Sequence, residues 1–225
     1  MSQKDKCALG ENADSVKRQL TEVKWIWYNK NVRRAFARLF LEGGNAVETV
    51  LKKPENLRDW LKIYTLYLTA FPAEERKPFA IIRKRFLQGN TDVWCLLDQG
   101  KFAGFATTVN SPNLILLDYL AVRKSSRKQG VGSRAMALLL EKYAPKGVFV
   151  EIESTREECA DLVMRRKRRA FYERAGMVDL GFSARVFGVN MDLLGIGCQL
   201  TFDGYRSFYR DNYSAWAAEH LEPME

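Results

Sequence analysis

Histidine is nearly missing from this chain of 225 residues: the single one, His220, stands in the closing stretch AAEHLEPME. A Ser-His-Asp triad, a Cys-His pair or a His-ligated metal needs a histidine inside the fold, and terminal residues tend to fray, so the sequence argues against those chemistries and predicts no metal. Cysteine is sparse and scattered, at Cys7, Cys95, Cys159 and Cys198, with no Cys-x-x-Cys pair. Such spacing speaks for reduced thiols, and so for a cytoplasmic location, over a disulfide framework or a zinc site. No apolar run approaches the roughly 18–20 residues that a membrane span requires. The opening MSQKDKCALGENADS lacks the apolar core and small-residue cleavage site of a secretory signal. Repeats and low-complexity tracts are absent, as is the Gly-x-x-x-x-Gly-Lys-Ser/Thr string of a nucleotide P-loop.

What the chain does have is a 47% hydrophobic content, enough for a sizeable core, and a formal net charge of +9. The charge favours an anionic partner without choosing among nucleic acid, an acidic membrane and a phosphorylated cofactor. Three parts are expected: a basic helical extension over 1–44, a main domain over 45–217 and a tail over 218–225. In the extension Val32, Phe36, Leu39 and Phe40 fall at helical spacing, which suits a helix packed on the main domain or a basic amphipathic segment touching membrane or RNA.

The main domain reads as mixed α/β. AVETVLKK suggests a strand, PENLRDWLKIYTLYLTAF a helix starting near Pro54, and AIIRKRFLQG a second helix. DVWCLLDQGKFAGFATTVN predicts two strands joined by a turn, and the nearly continuous apolar NLILLDYLAV a central strand buried on both faces. Then come the helix SRAMALLLEKY, the strand GVFVEIE, and a helix in CADLVMRRKRRAFYERAG closed by Gly176. Two weaker strands are expected near FSARVFGVNMDLL and IGCQLTF, with one final helix in FDGYRSFYRDNYSAWAAE.

The functional signal lies between the central strand and the next helix. Gly130-Val131-Gly132-Ser133-Arg134-Ala135 satisfies the dinucleotide fingerprint, with Glu151 on the following strand as a ribose ligand. However, RKSSRKQ separates Val122 from Gly130, whereas that fingerprint turns straight off its strand. RKQGVG, from Arg127 to Gly132, instead matches Arg/Gln-x-x-Gly-x-Gly/Ala. A helix N-terminus presents unbonded N–H groups and partial positive charge, and glycines let a phosphate come close to the backbone. With LDYLAV before it and RRAFYERAGM, Arg168 to Met177, after it, the chain resembles the GNAT superfamily of acyl-CoA-dependent N-acetyltransferases, of a bacterial type, over about residues 46–217.

That resemblance implies a central mixed, mostly antiparallel sheet flanked by helices, with two parallel strands in its middle that splay apart. Acetyl-CoA would be the co-substrate. Its binding residues would be Leu120, Ala121 and Val122 on the strand, then Arg127, Lys128, Gln129, Gly130, Val131, Gly132, Ser133 and Arg134, with Arg123 and Lys124 adding charge. A free backbone N–H near Leu120 or Val122 would polarise the acetyl carbonyl. The acceptor amine would attack directly, and Tyr172 would protonate the departing thiolate. For the base, carboxylates Glu75 and Glu153 are favoured over Glu151 and Asp118; the last sits in the central strand, where an unpartnered charge is costly. Relatives also suggest a homodimer through the C-terminal strands.

RRKRR, Arg165 to Arg169, resembles a nucleic-acid patch, but five consecutive helical residues spread around the helix and form no single stripe. No nucleic-acid partner is therefore expected, and Arg168 and Arg169 are placed toward the cofactor or an inward carboxylate. The expected partner is an amine acceptor, small molecule or peptide. Competing readings are a non-catalytic module of the same fold that binds acyl-CoA, RNA or a membrane surface, and an NAD(P)-dependent enzyme.

Overall fold

A computed structural model describes residues 49–143 and 145–224. The basic segment 1–44 and Cys7 lie outside them. The main chain runs β1 (Thr49–Lys52), α1 (Leu57–Ala70), a 3-10 turn (Ala73–Glu75), α2 (Phe79–Leu87), β2 (Thr91–Asp98), β3 (Lys101–Asn110), β4 (Leu114–Val122), α3 (Val131–Tyr143), β5 (Gly147–Glu153), α4 (Leu162–Arg174), β6 (Val178–Val186), β7 (Val189–Ile196), α5 (Phe202–Asn212), α6 (Ala215–Glu219) and β8 (Leu221–Met224).

Local signals account for most boundaries. Asn56, not Pro54, opens α1: its side chain accepts the Asp59 N–H at 3.1 Å. Gly176, at φ +94°, stops α4 as expected. The β6–β7 connection is a two-residue turn, Phe187 at φ +49° and Gly188 at φ +86°, the handedness that matches strand twist.

The eight strands form one sheet in the order β1-β2-β3-β4-β5-β7-β6-β8. All neighbours are antiparallel except β4 and β5, which are parallel and pair only through Leu114–Leu116 against Gly147–Phe149. Helices cover both faces. Val148, Val150 and Ile152 share one core with Met136 and Leu139 of α3 and Tyr172 of α4. On the opposite face α1 and α2 cover β2–β4 through Ile63, Tyr67, Ile82, Phe105 and Tyr119. Beside them α5 and α6 cover the other half through Tyr205, Phe208, Ala217, Phe149 and Leu193. The mixed, mostly antiparallel sheet with a splayed parallel pair is thus the architecture present.

One irregularity in β4 prepares the site. Thr107 pairs with Tyr119 but Thr108 with Leu117, so Asp118 is an extra residue bulged out of the β3–β4 ladder. Because side chains alternate with period 2, the insertion resets which face each later residue meets. Ile115 and Leu117 pack toward α3; beyond the bulge Tyr119 and Ala121 face α1, while Leu120 and Val122 return to the α3 side.

The C-terminal quarter differs from the expectation. FSARVFGVNMDLL holds both arms of the β6–β7 hairpin, and IGCQLTF is no strand beyond Ile196. The final helix is two, because Ser214 breaks the run and caps α6 by accepting the Ala217 N–H at 3.0 Å. The expected tail supplies β8, whose Leu221–Met224 pairs with β6. His220 is exposed and ends α6, stacked on Phe187 with ring centroids 5.7 Å apart. Among the described residues no helix is long and apolar enough to cross a membrane.

Candidate functional site

Where β4 and β5 part, a cavity of about 760 Å³ opens between the sheet and the helices on both of its faces. One wall is β4 from Leu117 to Val122. The Arg123 N–H bonds Ala103 O on β3 at 2.8 Å, and hydrogen-bonding direction alternates along a strand. The N–H groups of Leu120 and Val122 therefore point away from β3, into the gap left by β5. Ala121, between them, is buried on the α1 side.

The glycine loop closes one end. Lys128 at φ +63° and Gly130 at φ +77° take left-handed conformations that swing the chain into α3. The Gly130 carbonyl accepts the Arg134 N–H at 3.0 Å, so the N–H groups of Val131, Gly132 and Ser133 form the unbonded first turn. Arg127 and Gly132 line the cavity; Lys128 and Gln129 are exposed beside them, and the Val131 side chain is buried. Arg134, expected on the cofactor, is committed elsewhere. Its Nε donates to Thr49 Oγ1 at 2.7 Å, Nη2 to Asp98 Oδ1 at 2.8 Å and Nη1 to the Gln129 carbonyl at 2.9 Å. It braces the loop against β1 and β2, with each of its three nitrogens bonded to a protein acceptor.

Tyr172 lies on α4 with its ring buried beside Phe171, and both line the cavity. Burial pushes its phenol up to about 12, while the charge of Arg168 pulls the other way. Glu75 lines the cavity from the turn after α1. That turn is pinned to β4: the Tyr119 hydroxyl donates to the Glu75 carbonyl at 2.8 Å and accepts the Lys77 N–H at 3.1 Å. Burial, with Glu153 nearby, raises the Glu75 carboxyl above its ordinary range; Arg168 and Arg165 oppose the rise.

Glu153 does not share this position. It is buried against Arg168, with Arg165 Nη2 at 3.4 Å from its Oε1, and it is not part of the cavity wall. Its oxygens are taken by the two guanidiniums and turned away from the cavity that would hold the amine. The basic run RRKRR is largely consumed in this way, for Arg169 also reaches Asp179 at 2.7 Å and Asp192 at 3.0 Å. Glu151 does face the cavity, and its Oε1 accepts the hydroxyls of Tyr205 at 2.7 Å and Tyr209 at 2.9 Å. Burial raises its carboxyl, against the pull of Lys77 and the two tyrosines. This engagement with α5 takes it away from the glycine loop, where a dinucleotide ribose would need it.

Lys77, Arg85 and Tyr213 are the residues that sequence reasoning missed. Lys77 Nζ donates to Asp118 Oδ1 at 2.6 Å and to the Tyr213 hydroxyl at 2.7 Å, which supplies the bulged carboxylate with the partner that burial demands. Burial works against the Lys77 charge, but Asp118, Tyr213 and Glu151 outweigh it and hold the ammonium well above its ordinary value. The Arg85 guanidinium lies over the Tyr213 ring, 4.5 Å from the centroid. The only advance signal was the buried charge at Asp118, which called for a cation somewhere in the fold.

The family model described as Acetyltransferase (GNAT) family matches residues 60–177. YjbC of Bacillus subtilis (strain 168), an acetyltransferase by assignment, is 34% identical over 109 residues, which is 46% of this chain and 50% of that protein. The chain thus spans about half the length of this curated relative. A solved structure from Bacteroides thetaiotaomicron, assigned as a GNAT-family acetyltransferase, superposes with a TM-score of 0.59 at 18% identity, covering 76% of this chain and 99% of its own. An aminoglycoside 6'-N-acetyltransferase complexed with coenzyme A superposes at 0.54 with 17% identity, covering 66% of this chain and 95% of its own. At these identities the solved structures speak for the fold alone.

Proposed function

This chain belongs to the GNAT acetyltransferase family, and we propose that it transfers the acetyl group of acetyl-CoA directly to a primary amine bound in the same cavity. The observation that carries this reading is the parting of β4 and β5 after Leu116 and Phe149, which leaves the Leu120 and Val122 N–H groups facing the cavity beside the N-terminus of α3. The donor set fits acetyl-CoA. The unbonded amides of Val131, Gly132 and Ser133, with Arg127 and Lys128, suit the pyrophosphate, and the strand amides suit the pantetheine and the thioester carbonyl.

The amine arrives as an ammonium and must lose a proton before attack. Glu75 takes it, directly or through water, since its raised pKa makes it a better base than an exposed carboxylate. The new C–N bond forms as the C–S bond breaks, and the strand N–H stabilises the oxygen charge that develops between them. Tyr172 then gives its proton to the leaving thiolate. Burial alone would make this phenol a reluctant donor; Arg168 favours the tyrosinate that transfer creates. No histidine or covalent intermediate is required.

Calorimetric titration with acetyl-CoA, with NAD as control, tests the reading. Micromolar binding of acetyl-CoA and silence with NAD are expected. In Gly130→Glu the added carboxylate meets the pyrophosphate and strains a φ of +77°, so affinity should fall about 100-fold or more, a loss of ~2.7 kcal/mol. Unchanged affinity would remove the loop from the binding site.

A further inference from the structure

Some charges of the cavity wall are matched by neighbours: Lys77 is held by Asp118, and Arg168 by Glu153. Two carboxylates and three guanidiniums of the wall, Glu75 and Glu151, Arg76, Arg85 and Arg127, take part in no ion pair among the described residues; Arg127, at the glycine loop, gives its Nε to the Val122 carbonyl at 3.1 Å. A cavity with both signs to spare is complementary to a zwitterion. A polyamine or another purely cationic acceptor would satisfy the carboxylates and confront the arginines with like charge.

Arg85 shows where the anion goes. Its guanidinium lies over the Tyr213 ring, 4.5 Å from the centroid, and a guanidinium is the side chain whose paired N–H groups match a carboxylate's two oxygens. Its Nε is buried and has no hydrogen-bond partner among the described residues, and a buried donor of this kind is seldom left without an acceptor. A chain of contacts also ties Arg85 to the transfer point: Tyr213 bonds Lys77, Lys77 bonds Asp118, and Asp118 is the bulge just before Leu120. Two apolar rings also line the cavity. Phe187, projected by the left-handed turn, and Trp216 are 44% and 62% exposed with ring centroids 5.6 Å apart.

We propose that the acceptor is a free amino acid with an apolar or aromatic side chain. Its carboxylate is held by the Arg85 guanidinium, its side chain rests on Phe187 and Trp216, and its α-amine is presented to the thioester beside Leu120 and Glu75. The proposal rests on the acetyl-transfer reading for its chemistry, but the anion site stands on the charge pattern alone. The transfer forms an N–C bond and breaks the thioester C–S bond, releasing coenzyme A and one proton.

The test compares L-phenylalanine with phenethylamine and L-leucine with isoamylamine, by thiol release, on the full chain. Each amino acid is expected to exceed its decarboxylated partner about 100-fold in kcat/KM, the effect of one charge-assisted fork of hydrogen bonds. Arg85→Gln should raise KM for the amino acids by about the same factor, so that their advantage over the amines disappears, and Arg85→Lys should recover part of that advantage. Amines that match the amino acids, a phenylalaninamide that matches L-phenylalanine, or an Arg85→Gln effect common to both classes overturns the proposal. Calorimetric binding of L-phenylalanine to wild type and Arg85→Gln, both checked for intact thermal unfolding, is read separately. If acetyl-CoA fails to bind while L-phenylalanine binds in an Arg85-dependent way, the transfer reading falls and the anion site stands. If acetyl-CoA binds and L-phenylalanine neither binds nor is acetylated, the reverse holds.

Discussion

Tyr172 sits beside Phe171 on α4, and its packing and its proposed acid role can be separated by one oxygen atom. Tyr172→Phe keeps the buried ring and its contact with Phe171 while removing the hydroxyl that the proposed role requires. General-acid contributions run from about 10² to 10⁴, so kcat should fall by at least ~100-fold. Acetyl-CoA affinity, read by calorimetry, should stay within about twofold because the phenol acts only as the thiolate leaves. A rate equal to wild type would leave Tyr172 with a packing role. At this scale the sequence was legible where residues that line the cavity together are contiguous. RKQGVG and FYER-G, a loop and a helix face, are local, and both stand at the cavity. Lys77, Arg85 and Tyr213 could not, since they come from a turn, a helix and a helix break separated by up to 136 positions, and nothing in their neighbours' spacing marks them as meeting. Glu153 and Arg134 show the opposite failure. Both carry the right chemistry near the right motif, and both are already satisfied by protein partners.

The elements repeat the lesson with the sheet as arbiter. β2–β5 and α1–α4 announce themselves through apolar periodicity, but the bulge at Asp118 and the swap of a tail for β8 are tertiary outcomes. A four-residue edge strand containing a proline carries almost no signal of its own, and pairing with β6 decides it. The glycine loop, legible as a motif, depends for its shape on elements far away in sequence. Arg134 ties α3 to Asp98 at the end of β2 and Thr49 in β1, and holds the Gln129 carbonyl that precedes Gly130. Arg134→Met should therefore destabilise the fold by about 3 kcal/mol, because it leaves Asp98, only 15% exposed, without its cation. It should also weaken acetyl-CoA binding about tenfold, ~1.4 kcal/mol, by loosening the loop. Urea unfolding and calorimetry measure the two effects. Loss of affinity without loss of stability would mean that Arg134 touches the ligand after all.

In the whole molecule, two groups of helices share one face of the sheet and meet over the place where it splits. α1 and α2 belong to one core cluster, α5 and α6 to another, and the cavity lies between them. Lys77 joins the halves: its backbone is bonded to Tyr67 and Tyr119 on one side, and its ammonium to Asp118 below and Tyr213 on the other. Lys77→Met keeps most of the side-chain volume but leaves Asp118, 8% exposed, as an unpaired buried carboxylate. Breaking such a pair costs about 3–5 kcal/mol, and the variant should lose that much stability at neutral pH. The dependence on pH follows from the direction of the shift. The folded-state pKa of Lys77 is raised above its ordinary 10.5, so the folded protein binds the proton more tightly than the unfolded chain. Its contribution is therefore fully present below 10.5 and is lost as pH climbs through the raised value. Urea denaturation of wild type and Lys77→Met should show a constant gap across the neutral range that narrows only in strong alkali. A gap that is absent at pH 7 would mean that apolar packing alone holds the two halves around the cavity, and that the ammonium serves the bound substrate instead of the fold.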